Sequence, residues 1–200
     1  MRKIVLMLVV FLAMGAWANE VTFQTDVTQG CFGVGCTPTS STASLADLTF
    51  TGSSFGPALT SGGNLTLTLG QFSLTDSTGA LFLGPLTNST FTAEVNFIMP
   101  SLNGQAAIYD AWIIGGVIKN FAGIAYLDFG GPQHFDFSGG SFDLQVNDLN
   151  LSVLGKDGVT SQQLQGQITN ATAVPEPATL SLLGCGLVVA TTKLRKKFKP

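Results

Sequence analysis

The sequence predicts an all-β domain, a sandwich or jelly roll of about 8–10 antiparallel strands, set between two apolar terminal segments expected to be helical. Three observations predict it. Apolar residues recur at every second position through most of the body, as in Leu65, Leu67 and Leu69. Gly, Thr, Ser and Asn punctuate every interval between such runs. No stretch of the body sustains an i, i+3, i+4 apolar stripe, so the helical alternative has no support there.

Taken in order, the chain begins with Arg2 and Lys3, continues almost wholly apolar from Ile4 to Leu12, and reaches the small-x-small triplet Ala16-Trp17-Ala18. A positive start, a short apolar core and a small-residue site make residues 1–18 a secretory signal peptide. The expectation is passage through the Sec translocon and cleavage between Ala18 and Asn19. Residues 19–173 then have the length of one domain.

Removing both ends changes the charge. The full chain has a formal net charge of −3, but the body keeps only two basic residues, Lys119 and Lys156, against eleven acidic ones, a net of about −9. Phosphate backbones and anionic lipid repel such a surface, so no nucleic-acid partner is expected. Divalent cations and uncharged polymers fit it better. Cys31 and Cys36 sit in CFGVGC, where two glycines let a short loop return on itself, and in an oxidising compartment they are expected to form a disulfide. Two metal-ligating thiolates would need further Cys or His nearby, and none is there.

Along the body, Leu65, Leu67 and Leu69 face one way, and Gly70-Gln71 then shift the phase to Phe72 and Leu74, the mark of a β-bulge. Phe91, Ala93, Val95 and Phe97 read as one strand ended by Pro100. Residues 105–118 and 121–129 are apolar at both parities and are expected to be covered on both faces. Phe135 and Phe137 alternate with polar residues before Gly139-Gly140. Phe142, Leu144 and Val146 precede Asn147-Asp148, read as a bulge or tight turn, and then Leu149, Leu151 and Val153. Leu164 and Ile168 mark a last, weaker strand. The fragments GQFSLTD and GSFDLQVND hint at two related halves, although similar strand chemistry alone produces such likeness.

Val174 to Pro200 reads VPEPATLSLLGCGLVVATTKLRKKFKP. Pro175, Glu176 and Pro177 stop any strand from continuing. Residues 178–192 follow as an apolar stretch, about 22 Å long as a helix at about 1.5 Å per residue, against a hydrocarbon core of about 30 Å. Lys193, Arg195, Lys196, Lys197 and Lys199 close the chain and set the tail on the cytoplasmic side of a single transmembrane helix. Motif, apolar helix and basic cluster together resemble the PEP-CTERM sorting signal of Gram-negative bacteria. That resemblance covers residues 174–200 and implies recognition by an exosortase, removal of the transient membrane anchor, and release or attachment at the cell surface, commonly among exopolysaccharide in a biofilm.

Candidate chemistry in the body is sparse. Gly52-Ser53-Ser54-Phe55-Gly56 fits G-x-S-x-G, with Asp110 or Asp128 and His134 downstream, but Pro57 follows and no helix pattern makes the elbow, so a plain turn is expected. His134 is the single histidine, which excludes sites built from several imidazoles. Asp128, Asp136 and Asp143, near glycines, are the candidates for a calcium site, with no compact loop spacing to support it. Tyr109, Trp112 and Tyr126 are candidates for a sugar-stacking face, with core the favoured reading in so apolar a stretch. The expectation is therefore a non-enzymatic, exported surface or matrix protein, with no catalytic residues and no cofactor. A carbohydrate-binding module, with or without calcium, is the alternative, and a secreted hydrolase ranks behind it.

Overall fold

The computed structural model describes residues 20–75, 89–118, 122–154 and 158–173. Ala18, Asn19, Pro175, Glu176, Pro177, the two terminal segments expected to be helical and the basic tail lie outside the described residues. Within them the chain is all-β, and every strand pairing is antiparallel.

Among the described residues there are fourteen strands, more than the 8–10 expected. They are β1 (Thr22–Thr25), β2 (Gln29–Phe32), β3 (Thr42–Leu45), β4 (Leu48–Gly52), β5 (Phe55–Leu59), β6 (Leu65–Thr75) and β7 (Ser89–Val95). Then come β8 (Phe97–Met99), β9 (Ala107–Ile118), β10 (Ala122–Asp128), β11 (Gln133–Phe137), β12 (Gly140–Val146), β13 (Leu149–Leu154) and β14 (Val159–Ala173). The surplus is in pieces of three or four residues, namely β1, β2, β3 and β8, too short to display a two-residue period. Three sheets result: β5-β1-β8, β13-β10-β9-β7-β2 and β11-β12-β14-β6-β4-β3.

The two larger sheets meet face to face over a shared apolar core, in the manner of a sandwich. Phe32 and Phe91 are register partners on the five-stranded sheet, and Phe50 and Phe72 are register partners on the six-stranded one. The two pairs close on each other. Phe91 lies 4.8 Å from Phe50 and 4.9 Å from Phe72, centroid to centroid, with interplanar angles of 58° and 76°. Tilted and edge-on rings suit the quadrupole of the π face. Glycine makes the room: a Cβ on Gly30 would lie 2.6 Å from Phe91 Cζ, and one on Gly70 would lie 2.8 Å from Phe50 Cε2. A second cluster surrounds Phe142 on β12, where Phe23 and Phe97 of the three-stranded sheet approach to 4.9 and 5.1 Å. That contact fastens the smallest sheet to the largest.

The bulge expected at Gly70-Gln71 is present one residue earlier: Leu164 pairs with Gly70 while Gln165 pairs with Thr68, leaving Leu69 as the extra residue. Leu67, Leu69, Phe72 and Leu74 are all buried as a result.

Four expectations change. The last strand is the longest, 15 residues, and sits centrally between β6 and β12. Its outward face is Gln, Ser, Thr and Asn, so hydropathy understates a strand held by ladders on both sides. Asn147-Asp148 is neither bulge nor hairpin; it carries the chain from β12 in one large sheet to β13 in the other. Residues 91–97 are two strands, because at Asn96 the chain leaves the five-stranded sheet for the three-stranded one. β9 is covered on one face only: Ile108, Asp110, Trp112 and Ile114 point to solvent. The resemblance of GQFSLTD to GSFDLQVND reflects a shared task, since β6 and β12 flank the same strand and each sends one phenylalanine inward.

Phe91→Ala removes the ring on which this packing converges, and chemical denaturation is expected to show a loss of about 3–5 kcal/mol. A loss below about 1 kcal/mol at unchanged m-value would contradict the packing described.

Candidate functional site

Strict alternation along β9 divides its side chains into two populations. Ala107, Tyr109, Ala111 and Ile113 are buried, while Ile108, Trp112 and Ile114 are 50%, 61% and 61% exposed. Register sets their neighbours. Trp112 pairs with Thr90 on β7 and Asp128 on β10, Asp110 with Thr92, Ile108 with Glu94, and Ile114 with Tyr126. Directly opposed residues share a face. The outer face of the five-stranded sheet thus carries an indole, a diagonal phenol, two isoleucines and three carboxylates.

One end of this face is enclosed. Cys31 and Cys36 form the expected disulfide, with a Cα–Cα distance of 6.1 Å. Gly33 and Gly35 hold φ of +115° and +69°, backbone that L side chains rarely adopt, and this returns the loop over the sheet. The Gly33 N–H donates to Thr90 O at 2.9 Å and ties the loop to β7. A groove of about 350 Å³ lies between loop and sheet, with Val34, Gly35 and Cys36 from the loop, Thr90 and Thr92 from β7, and Ile108, Asp110 and Trp112 from β9.

The outer face around the groove is acidic, and of its carboxylates Asp110 alone lines the groove itself. Asp110 Oδ1 accepts from Thr92 Oγ1 at 2.6 Å, Glu94 Oε1 from Asn96 Nδ2 at 3.0 Å, and Asp128 Oδ1 from the Gly130 N–H at 3.0 Å. Among the described residues there is no lysine or arginine to balance them. Tyr126 donates its hydroxyl to Asp148 Oδ2 at 2.9 Å, which raises the phenol above its ordinary pKa. Asp148 also accepts from the Phe129 N–H at 2.9 Å and so steadies the crossing between sheets.

The three aromatic candidates therefore separate. Trp112 and Tyr126 share the outer face, so core is the wrong reading for Trp112. Tyr109 is fully buried on the opposite side and is no part of a ligand face. Its hydroxyl donates across the core to Leu144 O on the six-stranded sheet, and burial pushes the phenol well up. The loop as a wall of the groove was not foreseen. The available signal was parity: Asp110 shares its side of β9 with Trp112, and a carboxylate there calls for water or a partner.

The other candidates lie elsewhere. Ser54 sits in the link from β4 to β5, strand to strand, without the helix that G-x-S-x-G chemistry needs. His134 lies on β11, with Nδ1 2.6 Å from Asp143 Oδ1 and Nε2 3.5 Å from Asp136 Oδ1. Asn170 donates to Asp143 Oδ2 at 2.7 Å. Asp128 is on the other large sheet, away from Asp136 and Asp143, and no group of three or more His, Cys, Asp or Glu among the described residues is arranged to hold a metal ion.

No family model matches the chain, and no curated protein or solved structure shows detectable similarity to it.

The His134 cluster fastens the edge strand β11 to β12 and has a pH signature. The hydrogen bond to Asp143 raises His134, so its stabilisation is complete below the ordinary histidine value of 6.5 and fades as pH climbs through the raised value. Asn170 first, and then His134, lower Asp143, whose stabilisation is complete above 3.8 and fades as pH drops through the lowered value. The stability difference between the protein and His134→Gln is expected to be largest between about pH 4 and 6.5 and to shrink on both sides. A difference independent of pH, measured by thermal unfolding, would exclude this coupling.

Proposed function

We propose that the protein is an exported, non-enzymatic cell-surface or extracellular-matrix protein of a Gram-negative bacterium, sorted by an exosortase and held among exopolysaccharide. The tail carries this reading: Pro175-Glu176-Pro177, the apolar residues 178–192 and five basic residues stand in the order and spacing of a PEP-CTERM signal. The fold that goes with it is a β-sandwich module delivered between two removable helices. A disulfide in the body suits an oxidising compartment. A folded strand at Ala173, two residues before Pro175, suits a signal that acts once the module is complete.

A second reading, carbohydrate binding, is favoured by one observation. Trp112 stands on a rigid central strand with more than half its surface open, and hydrophobic packing of the domain makes no use of that exposure. The two readings are compatible, since a matrix protein needs a contact with its matrix.

Intact-mass measurement and terminal sequencing of the protein from native cells test the proposal. The expected product starts at Asn19, lacks the apolar segment and basic tail, and has lost two hydrogens to the Cys31–Cys36 bond. Full-length, reduced chain in the cytosol would refute it.

A further inference from the structure

We infer that the groove between Trp112 and the Cys31–Cys36 loop is a subsite for a sugar bearing a protonated amine, as in a de-N-acetylated hexosamine polymer. This rests on the polysaccharide reading above and narrows it to a chemical class.

Shape comes first. The groove, about 350 Å³, is at the lower end of small-ligand sites and suits a sugar ring or two rather than a protein segment. Its walls are stiff, because Trp112 stands in the middle of a five-stranded sheet and the loop is closed by a disulfide and pinned to Thr90. A preformed site loses little entropy when occupied. An exposed indole offers the flat apolar surface that matches the axial C–H face of a pyranose, and the same π face attracts a cation.

Charge then selects among sugars. Asp110 lines the groove, and Glu94 and Asp128 are register partners of Ile108 and Trp112. Each holds one oxygen on a neighbour, and the second has no protein partner among the described residues. Uronate or sulfate polymers meet three carboxylates with no lysine or arginine among the described residues to offset them, and are repelled. An uncharged glycan gains hydroxyl hydrogen bonds from them but no charge attraction. An ammonium group beside Asp110 and over the indole gains from both.

The same charges disfavour a second copy as occupant. A two-fold contact through this face would bring Asp110, Glu94 and Asp128 of both chains together with no counter-charge among the described residues. Anionic lipid is disfavoured on the same ground.

Titration calorimetry of the full chain with a glucosamine hexamer, its N-acetylated form, cellohexaose and an oligogalacturonate provides the test. The glucosamine hexamer is expected to bind, at least about tenfold more tightly than its acetylated form, with affinity falling as salt rises. Trp112→Ala and Asp110→Asn are each expected to weaken it about tenfold. Asp136→Asn, on the opposite large sheet, removes the same charge and is expected to change nothing. Asp110→Asn keeps the shape and an acceptor for the Thr92 hydroxyl, so it tests the site without removing a large side chain, and urea midpoints check that both variants fold. Binding that Trp112→Ala leaves intact would be mere adhesion of a polycation to an acidic protein and would overturn the inference. Equal affinity for the acetylated hexamer would overturn the amine preference and leave the polysaccharide reading standing. Absence of binding to any hexamer by the folded full chain would overturn the subsite and leave the sorting proposal, which terminal sequencing tests separately, standing.

Discussion

Everything in this molecule follows from four phenylalanine rings closing across two sheets. Phe32 and Phe91 form one cross-strand pair, Phe50 and Phe72 the other, and each pair lies on a strand face that packing turns inward. Because strand periodicity is two, a buried residue at one position determines the side taken by every other residue in that strand. Phe91 inward places Ala93 and Val95 inward and Thr90, Thr92 and Glu94 outward. Its register partner Ala111 then sends Tyr109 and Ile113 into the core and Asp110 and Trp112 to the surface. The exposure of Trp112 is thus a consequence of core packing on the neighbouring strand, and it cannot be relieved without expelling Tyr109.

The six-stranded sheet supplies the rigidity this arrangement needs. β14 runs the length of that sheet with a partner on either side, although few of its side chains are apolar. Backbone ladders hold it, with Leu164, Ile168 and Ala171 as its anchors in the core. The extra residue at Leu69 keeps four large side chains of β6 on the buried side despite the change of phase. Where the chain crosses between the large sheets at Asn147-Asp148, the Asp148 carboxylate accepts from a phenol and a backbone N–H, so the corner is held by polar contacts.

Much of this was legible in the sequence and some was not, for definable reasons. The all-β class, a bulge within one residue of Gly70-Gln71 and the Cys31–Cys36 bond all follow from local signals: alternation, a glycine at a phase change, and two cysteines joined by a short glycine-bearing loop. β14 was underestimated because hydropathy measures side chains, whereas a central strand with one polar face is secured through its backbone. β9 was misjudged because apolar residues at both parities mean burial on both faces only when a second layer exists to cover the second face. The charge on Asp110 is the local sign that none does. Crossing from one sheet to another leaves no periodic trace, so Asn147-Asp148 and the break at Asn96 could be located only in three dimensions. The groove combines a loop and two strands far apart in the chain, and no linear pattern encodes that meeting.

The proposed biology divides along the chain in the same way. In that proposal the two ends serve as addresses, and the domain between them offers an open, acidic, aromatic face whose geometry is dictated from inside. Acrylamide quenching of tryptophan fluorescence tests that dictation most directly, in the chain carrying Trp17→Phe so that Trp112 is the remaining indole. The account predicts the red-shifted emission of a hydrated indole, freely quenched while the protein is folded and little changed on unfolding. Blue-shifted emission protected from acrylamide until the protein unfolds would place Trp112 in the interior and contradict it.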